Sequence, residues 1–100
     1  MPGLLTQLNQ LEEQMNLDPQ SIKAAIRAKV IELARALDID AADIGDDDII
    51  PATGYLDSAA LLELVMWFEQ AYDIPMKQED VNIDNLGSIS AMADFLLRRR

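Results

Sequence analysis

The sequence of 100 residues contains no cysteine and no histidine. Their absence excludes disulfides, thiolate chemistry, the usual zinc sites and every triad or general base built on imidazole. Cations are scarce too, 8 Lys and Arg against 18 Asp and Glu, for a formal charge of −10. Phosphate-backbone binding needs clustered cations, so nucleic acid is a poor partner for this chain. No apolar run reaches the ~18 residues of a membrane span. Residues 1–5 lack the basic start of a signal peptide. Gly and Pro number 4 each and 26% of residues are charged, a balance that argues against disorder. The chain is instead half apolar, ample for one core, at a length that suits one domain. The expectation is a small, acidic, cytoplasmic, monomeric domain that catalyses nothing alone.

Turn signals divide the chain into helical segments, and β signals are weak throughout. Leu4, Leu8, Leu11 and Met15 form one apolar stripe at helical spacing, in a segment too short to be stable by itself. Residues 1–20 are therefore read as an N-terminal extension, partly helical, ahead of a domain over 21–100. Asp18 or Ser21 caps the next helix, with Pro19 in its first turn. Its apolar stripe runs Ile22, Ile26, Val30, Leu33, Leu37. Asp38–Asp48 then holds six aspartates in eleven residues. The stretch from Asp38 to Leu56 reads as one long ordered loop, anchored in the core by Ile44, Ile49, Ile50 and Tyr55.

Asp57-Ser58 opens a helix in which nine of the ten residues from Ala59 to Phe68 are apolar. Tyr72-Asp73-Ile74-Pro75 ends it. One helical turn around Val81 follows, and Ser88 caps a last helix with Ile89, Met92, Ala93, Leu96 and Leu97 on its apolar side. The fold expected is all-α: three main helices, one short helix and an extra N-terminal helical segment.

Ser58 ends a long loop and starts an apolar helix. A serine there commonly just caps free N–H groups. The same position also favours a covalently attached anion, because the helix dipole and unpaired amides face it. Without His or Cys in the chain, Ser58 has no partner to make it a hydrolytic nucleophile, so a reacting Ser58 is modified by another enzyme.

From Ile22 to Leu97 the chain resembles an acyl carrier protein. The resemblance is closest at Leu56-Asp57-Ser58, Leu62-Glu63-Leu64-Val65-Met66 with Glu69, and Tyr72-Asp73-Ile74. It implies an acyl-carrier-like bundle in which Ser58 carries 4′-phosphopantetheine, delivered from coenzyme A by a phosphopantetheinyl transferase with Mg²⁺, and Asp57 supports the attachment. It also implies an acyl- or aminoacyl-activating ligase and a downstream synthase or transferase as partners. Fatty-acid carriers follow Asp-Ser with Leu and an acidic residue, where this chain has Ala59 and Ala60. Between Ala59 and Gln70 it has only Glu63 and Glu69 as acids. These departures imply a carrier dedicated to one pathway. The Leu56-Asp57-Ser58 start is similar to aminoacyl carriers, which keeps an amino-acid cargo of a nonribosomal-type system open.

Partner contact is expected along the helix from Ser58, at Ala59, Ala60, Glu63, Met66, Trp67 and Gln70. Ala60, Glu63, Trp67 and Gln70 are read as a stripe opposite Leu61, Leu64, Val65, Phe68 and Tyr72. Trp67 then points outward, either as an interface anchor or beneath the N-terminal stripe. Met66 and Met76 are candidates for a pliant cavity wall, although Met is more commonly ordinary core. A calcium loop starting at Asp38 requires Gly at its sixth position and Glu at its twelfth; Asp43 and Ile49 stand there. No metal site is expected, and a solvated acidic loop is the simpler reading. A helical adaptor that carries nothing, or a weak binder of divalent metal, is the alternative of a different class.

Overall fold

The structure, a computed structural model, describes residues 18–99, so the expected Leu4–Met15 stripe and Arg100 lie outside the described residues. The described residues contain no strand. Three main helices are α1 (Pro19–Ala36), α3 (Ser58–Ala71) and α5 (Ile89–Arg99). Short elements outnumber the single one expected. They are α2 (Ile50–Thr53), within the predicted loop, a 3₁₀ turn (Gln78–Asp80) and α4 (Ile83–Leu86).

Local chemistry accounts for the helix ends. Asp18 caps α1, its Oδ2 accepting from the Ser21 amide at 3.1 Å, and Pro19 occupies the first turn where no N–H is required. At the C-terminal ends of α1 and α3 the chain turns through an aspartate in the left-handed region, Asp38 at φ 60° and Asp73 at φ 48°. The hydrogen bonds around each form a Schellman motif. Asp38 N donates to Arg35 O and Ile39 N to Ala34 O, both at 2.9 Å; Asp73 N donates to Gln70 O at 3.4 Å and Ile74 N to Glu69 O at 3.0 Å.

α1 packs against α5 and α3, and α4 against α5. The core so formed contains Ile22, Ile26 and Val30 from α1, Leu64 and Phe68 from α3, and Ile89 and Met92 from α5. The α1 stripe ends differently than expected: Ala34 is buried and Leu37 is exposed, because the chain leaves the helix at Leu37. On α5, Phe95 is buried and Leu97 is only partly so. Of the four loop residues expected as anchors, Ile44 and Ile50 are buried and Tyr55 is partly so. Ile49 is 42% exposed, and Ala41 and Leu56 take the remaining core positions. Ile49 precedes the first turn of α2, and its extended backbone sets its side chain away from that of Ile50.

Four of the six aspartates of the loop are structural acceptors. Asp40 Oδ1 accepts from the Ala42 amide at 3.0 Å and Asp48 Oδ2 from the Gly45 amide at 2.7 Å. Asp46 pairs with Arg27 of α1, whose guanidinium also donates to the Ile44 carbonyl. The Asp46 carbonyl accepts from Ser90 N at 2.9 Å, which ties the loop to the start of α5. Asp43 accepts from the Tyr55 hydroxyl at 2.9 Å, and this bond is the main reason the phenol pKa is raised; desolvation and the charges of Asp43, Asp48 and Asp40 add to it. Among the described residues, no group of three or more acidic side chains is placed to hold a metal ion. The loop, held by these bonds, thus carries the chain from the end of α1 to the start of α3 and delivers Ser58 to the surface.

Candidate functional site

The start of α3 assigns separate jobs to Asp57 and Ser58. Asp57 is the cap: its backbone is extended, and its Oδ1 accepts from the Ala60 amide at 2.8 Å. Its carbonyl takes the next amide, Leu61 N, at 2.9 Å. Ser58 is the first helical residue, exposed, and its hydroxyl makes no hydrogen bond among the described residues. The ordinary explanation for a serine at a helix start therefore does not apply here, since the neighbouring aspartate already does that work. The first-turn amides of Ser58 and Ala59 likewise have no partner among the described residues. The helix dipole adds its positive end at the same point, so an anionic substituent on the Ser58 hydroxyl meets favourable electrostatics.

The outward face of α3 is one residue out of phase with the stripe expected from sequence. Ala60 is buried at 7% exposure, in the core with Leu64 and Phe68 at the following turns. Trp67 is half-buried against the core, its ring edge-to-face with Tyr72 at 6.1 Å between centroids. Trp67 is thus not the outward anchor that the stripe predicted. The exposed face instead carries Ala59, Leu62, Glu63, Met66 and Gln70. Leu62 and Met66 are its large apolar members, 60% and 50% exposed. Sequence reasoning missed Leu62 because a run with nine apolar residues in ten has almost no polar contrast from which to set the helical phase. The signal that was available is the cap: with Asp57 fixed as the cap and Phe68 taken as core, the 3.6-residue period places Leu62 and Met66 outside.

An apolar cleft of about 210 Å³ opens one turn past Ser58. Leu61, Leu64 and Val65 of α3 line one side, Val81, Ile83 and Leu86 another, and Ile50 and Pro51 of α2 complete the lining. Leu61 lies about 4.5 Å along the helix axis from Ser58, at 1.5 Å per residue. A cavity of roughly 150 Å³ is enough to bind benzene, so the cleft has room for a short hydrocarbon segment. Neither Met66 nor Met76, the candidates for a pliant wall, lines it; Met66 is exposed and Met76 packs partly buried against the core.

The described residues contain no helix long and apolar enough to cross a membrane. Comparison with curated proteins and with solved structures finds no match. A family profile described as "Phosphopantetheine attachment site" matches residues 30–96, which span the loop, all of α3 and most of α5. With a free serine hydroxyl on a capped helix start inside that match, the chain belongs to the acyl carrier protein family, whose attachment-site domains hold 4′-phosphopantetheine covalently.

Proposed function

We propose that Ser58 is the attachment residue and that the protein carries acyl groups as thioesters on the arm, passing them to partner enzymes of a dedicated pathway. The observation that supports this most directly is the division of labour at the start of α3, where Asp57 caps and Ser58 keeps an exposed, unbonded hydroxyl. The residues present fit the group. Its phosphodiester meets two unpartnered amides and the positive end of a 14-residue helix. The arm supplies the thiol that the cysteine-free chain lacks.

This chain's residues leave the proton chemistry of attachment to another enzyme. Attachment would form the Ser58 Oγ–phosphorus bond, break the pyrophosphate bond of coenzyme A with adenosine 3′,5′-bisphosphate as leaving group, and release the Oγ proton; one oxygen of the neighbouring Asp57 carboxylate is occupied by the Ala60 amide. Activation of Ser58 therefore falls to a phosphopantetheinyl transferase that brings coenzyme A and Mg²⁺. Asp57 contributes negative charge beside the serine for that enzyme to orient against. Delivery to an acyl-activating ligase and to a downstream synthase or transferase uses the outward face of α3, at Ala59, Leu62, Glu63, Met66 and Gln70. The large apolar residues Leu62 and Met66 at its centre favour partners with an apolar patch over partners that read a row of carboxylates.

The apolar cleft favours an acyl cargo over an aminoacyl one, because a charged ammonium is costly to place among Leu61, Val65 and Ile83. The test is mass spectrometry after incubation with coenzyme A, Mg²⁺ and a broad-specificity transferase. Wild type gains one arm and Ser58→Ala gains none. Equal gain by both refutes the assignment of Ser58, and no gain by either refutes the carrier function. Loading of the armed protein with acyl and amino acids by the activating ligase then separates the two cargo classes.

A further inference from the structure

The segment 77–87, which supplies Val81, Ile83 and Leu86 to the cleft, has little apolar burial to hold it. Val81 and Ile83 are 47% and 60% exposed, and Leu86 is its only buried apolar side chain. Polar contacts fasten it at two ends. At one end the Ile50 amide donates to the Gly87 carbonyl at 2.7 Å. At the other stands Asp80, a buried residue whose side chain is 11% exposed. Its Oδ1 accepts from Arg99 Nη2 at 2.7 Å and its Oδ2 from the Lys77 amide at 3.0 Å. Its carbonyl accepts from Asn85 Nδ2 at 3.0 Å. Arg99 is itself positioned, its guanidinium carbon 4.8 Å from the centroid of the buried Phe95 ring. Arg99 is the only side chain that pairs with the Asp80 carboxylate among the described residues.

We propose that the Asp80–Arg99 pair sets the capacity of the cleft by fastening the segment that walls it, with Arg99 as a positioning residue for cargo length. The proposal deepens the carrier reading and rests on it for the identity of the ligand, an acyl chain. A buried carboxylate deprived of its cation is drawn toward water. Asp80 is only three residues before Ile83, so its release frees that wall while the Gly87 end stays tied to Ile50. A ligand larger than the resting cleft must do the same work, displacing the segment against the ion pair. Each further methylene admitted and buried is worth about a fourfold gain in affinity.

The test uses the full chain without its arm, with wild type, Arg99→Gln and Arg99→Lys compared by amide hydrogen exchange and by methyl chemical shifts on titration with 1-butanol and 1-decanol. In Arg99→Gln the amides of residues 81–87 exchange at least ~tenfold faster, while those at the centre of α1 change by less than about twofold. The same variant binds 1-decanol more than ~tenfold tighter, as two or more added methylenes require, and 1-butanol unchanged. Arg99→Lys keeps the cation and stays near wild type in both. Uniform acceleration of exchange across α1 and the segment, or equal changes for both alcohols, overturns the proposal by showing a merely stabilising contact. Arm attachment is measured on the same three proteins: failure there refutes the carrier reading, while the alcohol ratio still decides the role of the pair.

Discussion

Replacing Asp57 and Ser58 one at a time separates the cap from the attachment residue. Asp57→Ala removes the acceptor that holds the Ala60 amide at 2.8 Å, together with a negative charge at the positive end of α3. Loss of such a cap costs about 1 kcal/mol, and loss of the charge a further ~0.3–1 kcal/mol. The total, about 1.5 kcal/mol, lowers the melting temperature by roughly 6–12 °C for a domain of this size. Asp57→Asn keeps a side-chain acceptor and loses only the charge, so its expected loss is ~0.3–1 kcal/mol. Ser58→Ala removes a hydroxyl that bonds to nothing among the described residues, and its melting temperature stays within about 0.5 kcal/mol equivalent of wild type. Thermal unfolding followed by far-ultraviolet circular dichroism reads all three. The reasoning is refuted if Asp57→Ala melts with wild type, or if Ser58→Ala falls as far as Asp57→Ala. Arm attachment to the same variants gives the complementary pattern: Ser58→Ala takes none, and Asp57→Asn is loaded more slowly although nearly as stable as wild type.

Trp67→Ala is expected to cost about 2 kcal/mol, below the 3–5 typical of a fully buried aromatic, whereas Leu62→Ala and Met66→Ala stay within ~0.5 kcal/mol; urea unfolding distinguishes them, and a neutral Trp67→Ala would contradict its packing against Tyr72. Gly87→Ala places a Cβ 2.3 Å from the Ile83 carbonyl oxygen, so α4 must shift. A loss of about 1–3 kcal/mol follows, visible as a lower urea midpoint at an unchanged slope. Burial raises the Tyr72 pKa above its ordinary value of 10.0. The unfolded chain therefore releases that proton first as pH passes about 10, and binds fewer protons than the folded chain. Stability from this source is complete below about pH 10 and declines above it; Tyr72→Phe melts with a shallower decline between about pH 9 and pH 11, and identical slopes would remove burial as the cause.

Much of the architecture was legible because it is written in short-range chemistry. Asp18 before Pro19, and Ser88, whose Oγ accepts from the Ala91 amide at 3.0 Å, are caps whose partners lie three residues away. Strongly amphipathic stripes such as Ile22, Ile26, Val30 and Leu33 announce their buried face through contrast with the Lys and Arg between them. Where contrast was missing, the reading failed. The apolar α3 was rotated by about one position, which sent Ala60 and Trp67 outward and overlooked Leu62. The aspartate run is solvated as expected, five of its six aspartates being exposed, but its acceptor roles went unread because they depend on where the Arg27 guanidinium, the Tyr55 hydroxyl and the Ala42 and Gly45 amides fall in the folded loop.

By itself the sequence determined that no side chain of this protein supplies a thiol or an imidazole, that it is helical, and that a serine opens its most apolar helix. Each of these follows from composition or from interactions within one turn of chain. Only the tertiary structure decided which face of α3 meets solvent and that a cleft lies beside the serine. It alone joined Arg99 to Asp80, 19 residues apart. Such outcomes depend on packing between helices that are distant in sequence, where burial outweighs local preference and no short motif records the result.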